Sequence, residues 1–349
     1  MISLVQIGCG YWGPNVLRNF STLPGARVKY VVETDPARQL YVITQHPQIG
    51  VLTSVQQALD DPEIRGVLVA TPARTHFLLA RQALQSGRHV FVEKPLAMSV
   101  AEVDELAALA QARGLILMVG HTFLYNPAVL RLKELIAGGD LGQIYYLYAQ
   151  RLNLGVVRAD VNALWNLAPH DLSIFNYLLD TTPVAVTAQG ADFLQKGIED
   201  VVFATFEYPG GVHASLQVSW LDPNKVRKVT LVGSRKMVIY DDVAADKLAV
   251  YDKGVDAPAS EPGALPFDRP DSARLVYRSG PVDLPKLPPL EPLRELARDF
   301  IAAIVENRPP RADVGSGRLV VAALQAASIS LRENSRRVRL DEILPASAS

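Results

Sequence analysis

Only one of the 349 residues, Cys9, is a cysteine, so an intramolecular disulfide is excluded and packing alone must hold the fold. A lone thiol inside a glycine-rich turn suits a reducing compartment, and the expected address is the cytoplasm. Surplus charge is missing as well: 35 Lys and Arg stand against 36 Asp and Glu, a formal net charge of -1. Nothing is left over to drive binding to a phosphate backbone or an anionic lipid surface, and nucleic acid is not an expected partner. The chain opens directly on a strand-like segment without a basic leader, and no apolar run of bilayer-spanning length is expected, so neither export nor membrane insertion is indicated. Internal repeats and low-complexity tracts are absent too.

What remains is a composition of 49% hydrophobic and 20% charged residues, that of a packed globular protein. The length exceeds what one core normally fills, so two domains are expected, 1–121 and 122–349. An apolar run at residues 2–7 ends on glycine and is followed by a helical stretch at 13–22. Further apolar runs at 28–32, 67–70, 89–92 and 115–119 alternate with amphipathic stretches, which implies an α/β fold with a parallel sheet and helical crossovers. After residue 120 the texture changes. One helix is expected at 127–136, followed by strands that alternate rather than run continuously. Ala214, Leu216, Val218 and Trp220 face opposite to His213, Ser215, Gln217 and Ser219, the pattern of an open, largely antiparallel sheet in an α+β domain. The polar face of that stretch carries no charge and suits another subunit as well as water, so a homo-oligomer, dimer or tetramer, is expected. Residues 254–292 read as a long irregular excursion, 291–307 and 314–333 as closing helices, 336–340 as a last strand, and 346–349 as frayed.

Gly8, Gly10 and Gly13 form GxGxxG between the first strand and the first helix. The first glycine makes the tight turn, the second lets backbone approach a pyrophosphate, and the third lets helix and strand pack closely. Glu33 lies 20 residues past Gly13 at the end of the second strand, placed to accept both ribose hydroxyls; Asp35 is the competing acid and reads equally as a turn residue before Pro36. A carboxylate there repels a 2′-phosphate, which favours NAD over NADP, with Arg38 as the one opposing cation. Thr71, Pro72 and His76 follow another strand at the sheet edge where ligands bind, either lining the nicotinamide or simply starting a loop.

Glu93, Lys94 and Pro95 end a central strand. Lys94 is placed either to act on a substrate hydroxyl or as a loop lysine at the surface, and its bond to Pro95 is a candidate for cis. Asp171 has the expected role of an acid at the N-terminus of a helix over 172–179. His170 beside it is the leading general base, because imidazole titrates near working pH and the cofactor half offers no other obvious base.

With GCGYWG at 8–13, ATPARTH at 70–76, EKP at 93–95, GHTFLYNP at 120–127 and NLAPHD at 166–171, nearly the whole chain resembles the Gfo/Idh/MocA oxidoreductase family. The resemblance implies a Rossmann domain joined to an open mixed sheet, and hydride transfer between a sugar or polyol carbon and a nicotinamide. It further implies Lys94 as the active-site lysine and His170 as the acid/base. It also sets Tyr11, Trp12 and Glu93 beside the cofactor with the residues above, and gives no metal site. RLNLG at 151–155, SWLDP at 219–223 and YRSG at 277–280 are similar to a branch containing UDP-N-acetylglucosaminuronate 3-dehydrogenases. That likeness implies a nucleotide-sugar substrate near Tyr125, Asn153 and Arg158, the last either pairing with a carboxylate or phosphate or standing exposed in a loop. Members usually carry aspartate four residues before the histidine, where this chain has Asn166: either the site works with an amide or the activity has drifted. The resulting expectation is an NAD-dependent sugar dehydrogenase. Its rivals are an NAD-dependent glycoside hydrolase working by transient oxidation and a weakly catalytic dinucleotide-binding protein.

Overall fold

The computed structural model describes residues 1–256 and 276–344. The expected frayed end at 346–349 and residues 257–275 of the irregular excursion lie outside the described residues. The first half lays down β1 (Ile2–Ile7), α1 (Gly13–Ser21), β2 (Ala26–Val32), α2 (Pro36–Gln45), β3 (Gly50–Leu52), α3 (Val55–Leu59), β4 (Ile64–Val69), α4 (His76–Gln85), β5 (His89–Val92), α5 (Val100–Ala112) and β6 (Leu117–Val119). Their strands pair in parallel in the order β3-β2-β1-β4-β5-β6. The order reverses between β1 and β4, and that switch point opens a crevice at the carboxyl ends of the strands. Register aligns those ends: Ile7 lies opposite Val32 and Val69, Val69 opposite Val92, and Val92 opposite Val119. The residues that follow, Gly8, Glu33, Ala70, Glu93 and Gly120, therefore share one edge.

The second half continues with α6 (Pro127–Ala137), β7 (Ile144–Leu152), α7 (Ala163–Leu179), β8 (Ala185–Ala191), β9 (Val201–Glu207), β10 (His213–Ser219), β11 (Val226–Gly233), β12 (Met237–Asp241), β13 (Leu248–Asp256), β14 (Val276–Asp283), α8 (Pro292–Glu306), α9 (Val314–Arg332) and β15 (Val338–Arg339). The strand order is β14-β13-β12-β11-β7-β10-β9-β8-β15, with β7 and β10 parallel and the other neighbours antiparallel. Ala214, Leu216, Val218 and Trp220 are buried under α7, as their alternation requires. Both ends of the expected excursion are regular: β13 and β14 pair with each other, since alternating Val, Tyr and Arg residues overcome the nearby glycines and prolines.

Two further expectations need correction. The helix read over 172–179 begins at Ala163 and runs through Pro169. Asn162 caps it by accepting the Trp165 amide at 3.1 Å, and a proline near the second turn removes only one backbone donor while Leu164, Ala168 and Leu172 gain burial. The other concerns α9, whose 19 residues are long and apolar enough by length and composition to cross a membrane. Half of that window is buried, the helix packs on α7, α5 and β8, and Arg318 pairs with Asp104, which is how a core helix is placed.

α8 returns to the first sheet and packs on α1. Phe300 meets Phe20 and Phe91 at ring-centroid distances of 6.0 and 6.2 Å, all three fully buried. Phe300→Ala is expected to lower unfolding free energy by about 3–5 kcal/mol. Urea titration checks it, and a loss under about 1 kcal/mol would mean that α8 is not part of this core.

Candidate active site

The glycine turn is shaped for a ligand rather than for a side chain. Gly8 has φ +87°, and a Cβ there would lie 2.7 Å from the Ala70 carbonyl oxygen and from Thr71 Cγ2. Over Gly10 the only atoms within 4 Å of a Cβ belong to the Arg38 guanidinium, which leaves the backbone open to close approach. α1 starts at Gly13 with no side-chain cap and no acid in its first turn, so its positive end is uncompensated. These features fit the pyrophosphate of NAD. Tyr11 and Trp12 stand exposed beside the turn.

Glu33 is buried at the end of β2, where Oε2 accepts the Cys9 amide at 2.7 Å and Oε1 accepts the amides of Thr34 and Asp35 at 2.8 and 3.0 Å. Three of roughly four acceptor positions are taken, so the two expected ribose contacts reduce to one. Asp35 caps α2 through the Ala37 and Arg38 amides, the turn role that sequence allowed it.

His76 is corrected from cofactor contact to positioning residue. It is buried and kept toward neutrality by burial, with Nδ1 2.7 Å from the Pro95 carbonyl and Nε2 2.9 Å from the Thr71 carbonyl, so the neutral ring donates its one proton to one of them while both nitrogens are enclosed. It thereby fastens the loop of Thr71 and Pro72 to the one of Glu93, Lys94 and Pro95, in which the Lys94–Pro95 bond is cis. Glu93 Oε2 accepts the Lys94 amide at 3.2 Å, and its buried Oε1 has no partner, as a ligand-facing oxygen would.

Lys94 reaches across to the second domain, where Nζ donates to the Asn166 backbone carbonyl at 2.6 Å. Asn166 and His170 are one turn apart on α7 and so share a face. Burial raises the Glu93 carboxyl and lowers the Lys94 ammonium, each the direction that disfavours charge. His170 is held well below the usual imidazole value, first by burial and then by the charges of Lys94 and Arg151. It is therefore neutral near pH 7, as an acceptor of protons must be. Its Nδ1 is buried without a partner.

Asp171 is not a helix-terminal acid. It lies fully buried inside α7 and takes Arg151 of β7 in a fork, Nε to Oδ2 and Nη2 to Oδ1 at 2.8 Å each. The Arg151 guanidinium sits 4.7 Å from the centroid of the Phe123 ring, and His170 meets the same ring edge-on at 5.0 Å. Tyr125 is also corrected. Its hydroxyl donates to Asp299 at 2.6 Å and accepts the Ala312 amide at 3.2 Å, which turns it away from the cleft into the joint with α8. Asn153 follows β7, with its side chain folded over Gly155. Arg158 forms a fork with Asp160 at 2.7 Å, and its charge acts on Lys94 and His76.

Sequence reasoning overlooked His121, Phe123 and Arg151. His121 is buried after β6, its Nδ1 unpartnered and its pKa lowered to about 3 by burial and by Lys94. Alternation along β7 sets Arg151 on the buried face with Leu147 and Ala149, and an arginine there demands a carboxylate; that was the available signal.

Fold and site together define an oxidoreductase architecture, with a glycine turn at the edge of a parallel sheet facing a helix, from the mixed-sheet half, that carries Asn166 and His170. Residues 2–121 match the model described as an oxidoreductase family with an NAD-binding Rossmann fold, and residues 129–239 match that of the GFO/IDH/MocA C-terminal domain; the chain belongs to this family. It is 30% identical over 262 residues to UDP-N-acetylglucosamine 3-dehydrogenase of Acidithiobacillus ferrooxidans, which is 75% of this chain and 77% of that protein. The structure of GenD2 from gentamicin A biosynthesis, in complex with NAD, matches with a TM-score of 0.80 at 25% identity, covering 97% of this chain and 96% of that one. Levoglucosan dehydrogenase in complex with NADH shares the fold with a TM-score of 0.80 at 20% identity, covering 97% and 99%. This protein is an NAD-dependent oxidoreductase.

Because Glu33 is fixed by backbone amides and repels a 2′-phosphate, NAD should bind at least roughly tenfold tighter than NADP. Fluorescence titration of both decides it. Equal or tighter NADP binding would remove Glu33 from that role and point to Arg38.

Proposed function

We propose that the protein oxidises a ring hydroxyl of a nucleotide-linked sugar, with UDP-N-acetylglucosaminuronate at its 3-position as the particular substrate. The observation that carries the reading is Lys94, held at the Asn166 carbonyl so that an ammonium stands on the same cleft as the neutral His170. Residues 1–121 hold NAD and 122–349 the sugar, with Asn153 and Arg158 beside it. When bound, NAD supplies the acceptor for the hydride. His170 takes the hydroxyl proton as the C–H electron pair leaves the carbon and the C–O bond becomes a carbonyl, while Lys94 stabilises the developing alkoxide. The chemistry suggested by the UDP-N-acetylglucosamine relative supports the nucleotide-sugar class. Assembly into a dimer or tetramer belongs to the same reading, supported by the outward side chains of β10, which carry no acid, lysine or arginine and lie beside the exposed Tyr146, Tyr148 and Phe203.

NADH formation across a panel of UDP-sugars and free polyols tests the substrate class; turnover of polyols alone would exclude it. Lys94→Ala and His170→Ala should each lower turnover about a hundredfold or more with little change in NADH binding. Unchanged turnover in either variant would remove that residue from the chemistry.

Asn166 supplies an amide where a carboxylate would favour the protonated forms of its neighbours. The acidic limb of kcat/KM for oxidation should fall below the ordinary histidine value of about 6.5, because His170 is held below it. In Asn166→Asp the histidine's apparent pKa should rise by about one unit, which moves that limb to higher pH. A limb that stays put or moves down would show that the residue 166 side chain does not act on the base.

A further inference from the structure

Strand register sets Arg227 of β11 directly opposite Arg151 of β7, so both side chains leave the sheet on the face covered by α7. Like charges facing each other across a ladder destabilise it unless anions offset them. Arg151 has its anion: Asp171 meets it with two bonds in a fully buried fork. Arg227 is only loosely matched. Its anionic contact is a single one of 3.5 Å to Asp242 Oδ2, and the other oxygen of that carboxylate already accepts the Tyr240 hydroxyl at 3.1 Å and Lys247 Nζ at 3.2 Å. The Arg227 side chain is 40% exposed, against 6% for Arg151. The other cations of the cleft do not relieve this: Arg158 is matched by Asp160, and Lys94 adds its own charge beside His170.

We propose that Arg227 reads an anionic oxygen of the substrate, a sugar carboxylate or a nucleotide diphosphate, and thereby selects charged sugars over neutral ones. The guanidinium fork suits either group. Burial first, and Arg227 among the nearby cations, lower the proton affinities of Lys94 and His170, so its charge is felt at both residues of the cleft. This inference rests on the dehydrogenase reading above only for the identity of the sugar.

The test is calorimetric titration of the NADH-bound enzyme with UDP-glucuronate, UDP-glucose, glucuronate and glucose, comparing wild type, Arg227→Met and Arg227→Lys, with thermal melts to establish that the variants fold. Arg227→Met should weaken the charged ligands at least roughly tenfold relative to glucose, and Arg227→Lys should restore part of the loss. A loss for UDP-glucuronate and glucuronate but not UDP-glucose assigns the contact to the carboxylate; an equal loss for both UDP-sugars and none for glucuronate assigns it to the diphosphate. Unchanged affinities, an equal loss for glucose, or a wild type that prefers no charged ligand overturns the proposal. Binding is read without turnover, so a chain that oxidises none of these ligands still tests Arg227. Conversely, nucleotide-sugar oxidation with binding indifferent to Arg227→Met removes the inference and leaves the dehydrogenase standing.

Discussion

The fork between Arg151 and Asp171 is the contact on which the geometry of the cleft depends. It joins β7 of the second sheet to the middle of α7, and α7 carries Asn166 and His170 toward the lysine of the first domain. Two charges removed from water are tolerated because both oxygens of the carboxylate and two donors of the guanidinium are matched. Losing one partner would strand a buried charge, at a cost of about 3–5 kcal/mol. The same guanidinium rests on Phe123, whose ring edge meets His170, so the imidazole is oriented from below as well as from its own helix.

Burial then decides protonation. His170 and His121 are kept neutral by desolvation together with the charge of Lys94, while Lys94 is itself lowered first by burial and then by the arginines around it, against the pull of Glu93. Carbonyl oxygens of Asn166, Thr71 and Pro95 do the positioning, through Lys94 in the first case and His76 in the other two. These carbonyl acceptors hold the side chains in place without adding further formal charge to that of the carboxylates already paired with Arg151 and Arg158.

The first domain was legible in sequence because buried parallel strands are written as continuous apolar runs and the glycine turn follows a strict spacing; even the strand ends came within a few residues. Lys94, Asn166 and His170 were found by motif, and the structure brings them to one cleft. What escaped depends on contacts between distant segments. Asp171 read as a helix start because an acid there precedes the apolar stretch 172–179, and only its partner 20 positions upstream shows it to be internal. Tyr125 and His76 lie in motifs near the chemistry, yet their polar atoms are used up by Asp299, Thr71 and Pro95. Sequence shows that a side chain is near a site; it does not show what its polar atoms are already bonded to.

The return of α8 bears on the order in which the molecule is made. Phe300 completes the aromatic cluster under the first sheet, and Asp299 anchors Tyr125 at the joint. Synthesis of the dinucleotide edge is finished some 180 residues before these side chains leave the ribosome, at roughly 5–20 residues per second. For that interval the apolar surface around Phe20 and Phe91 lacks the side chain that covers it, so the core of the first sheet is completed only when the last quarter of the chain arrives.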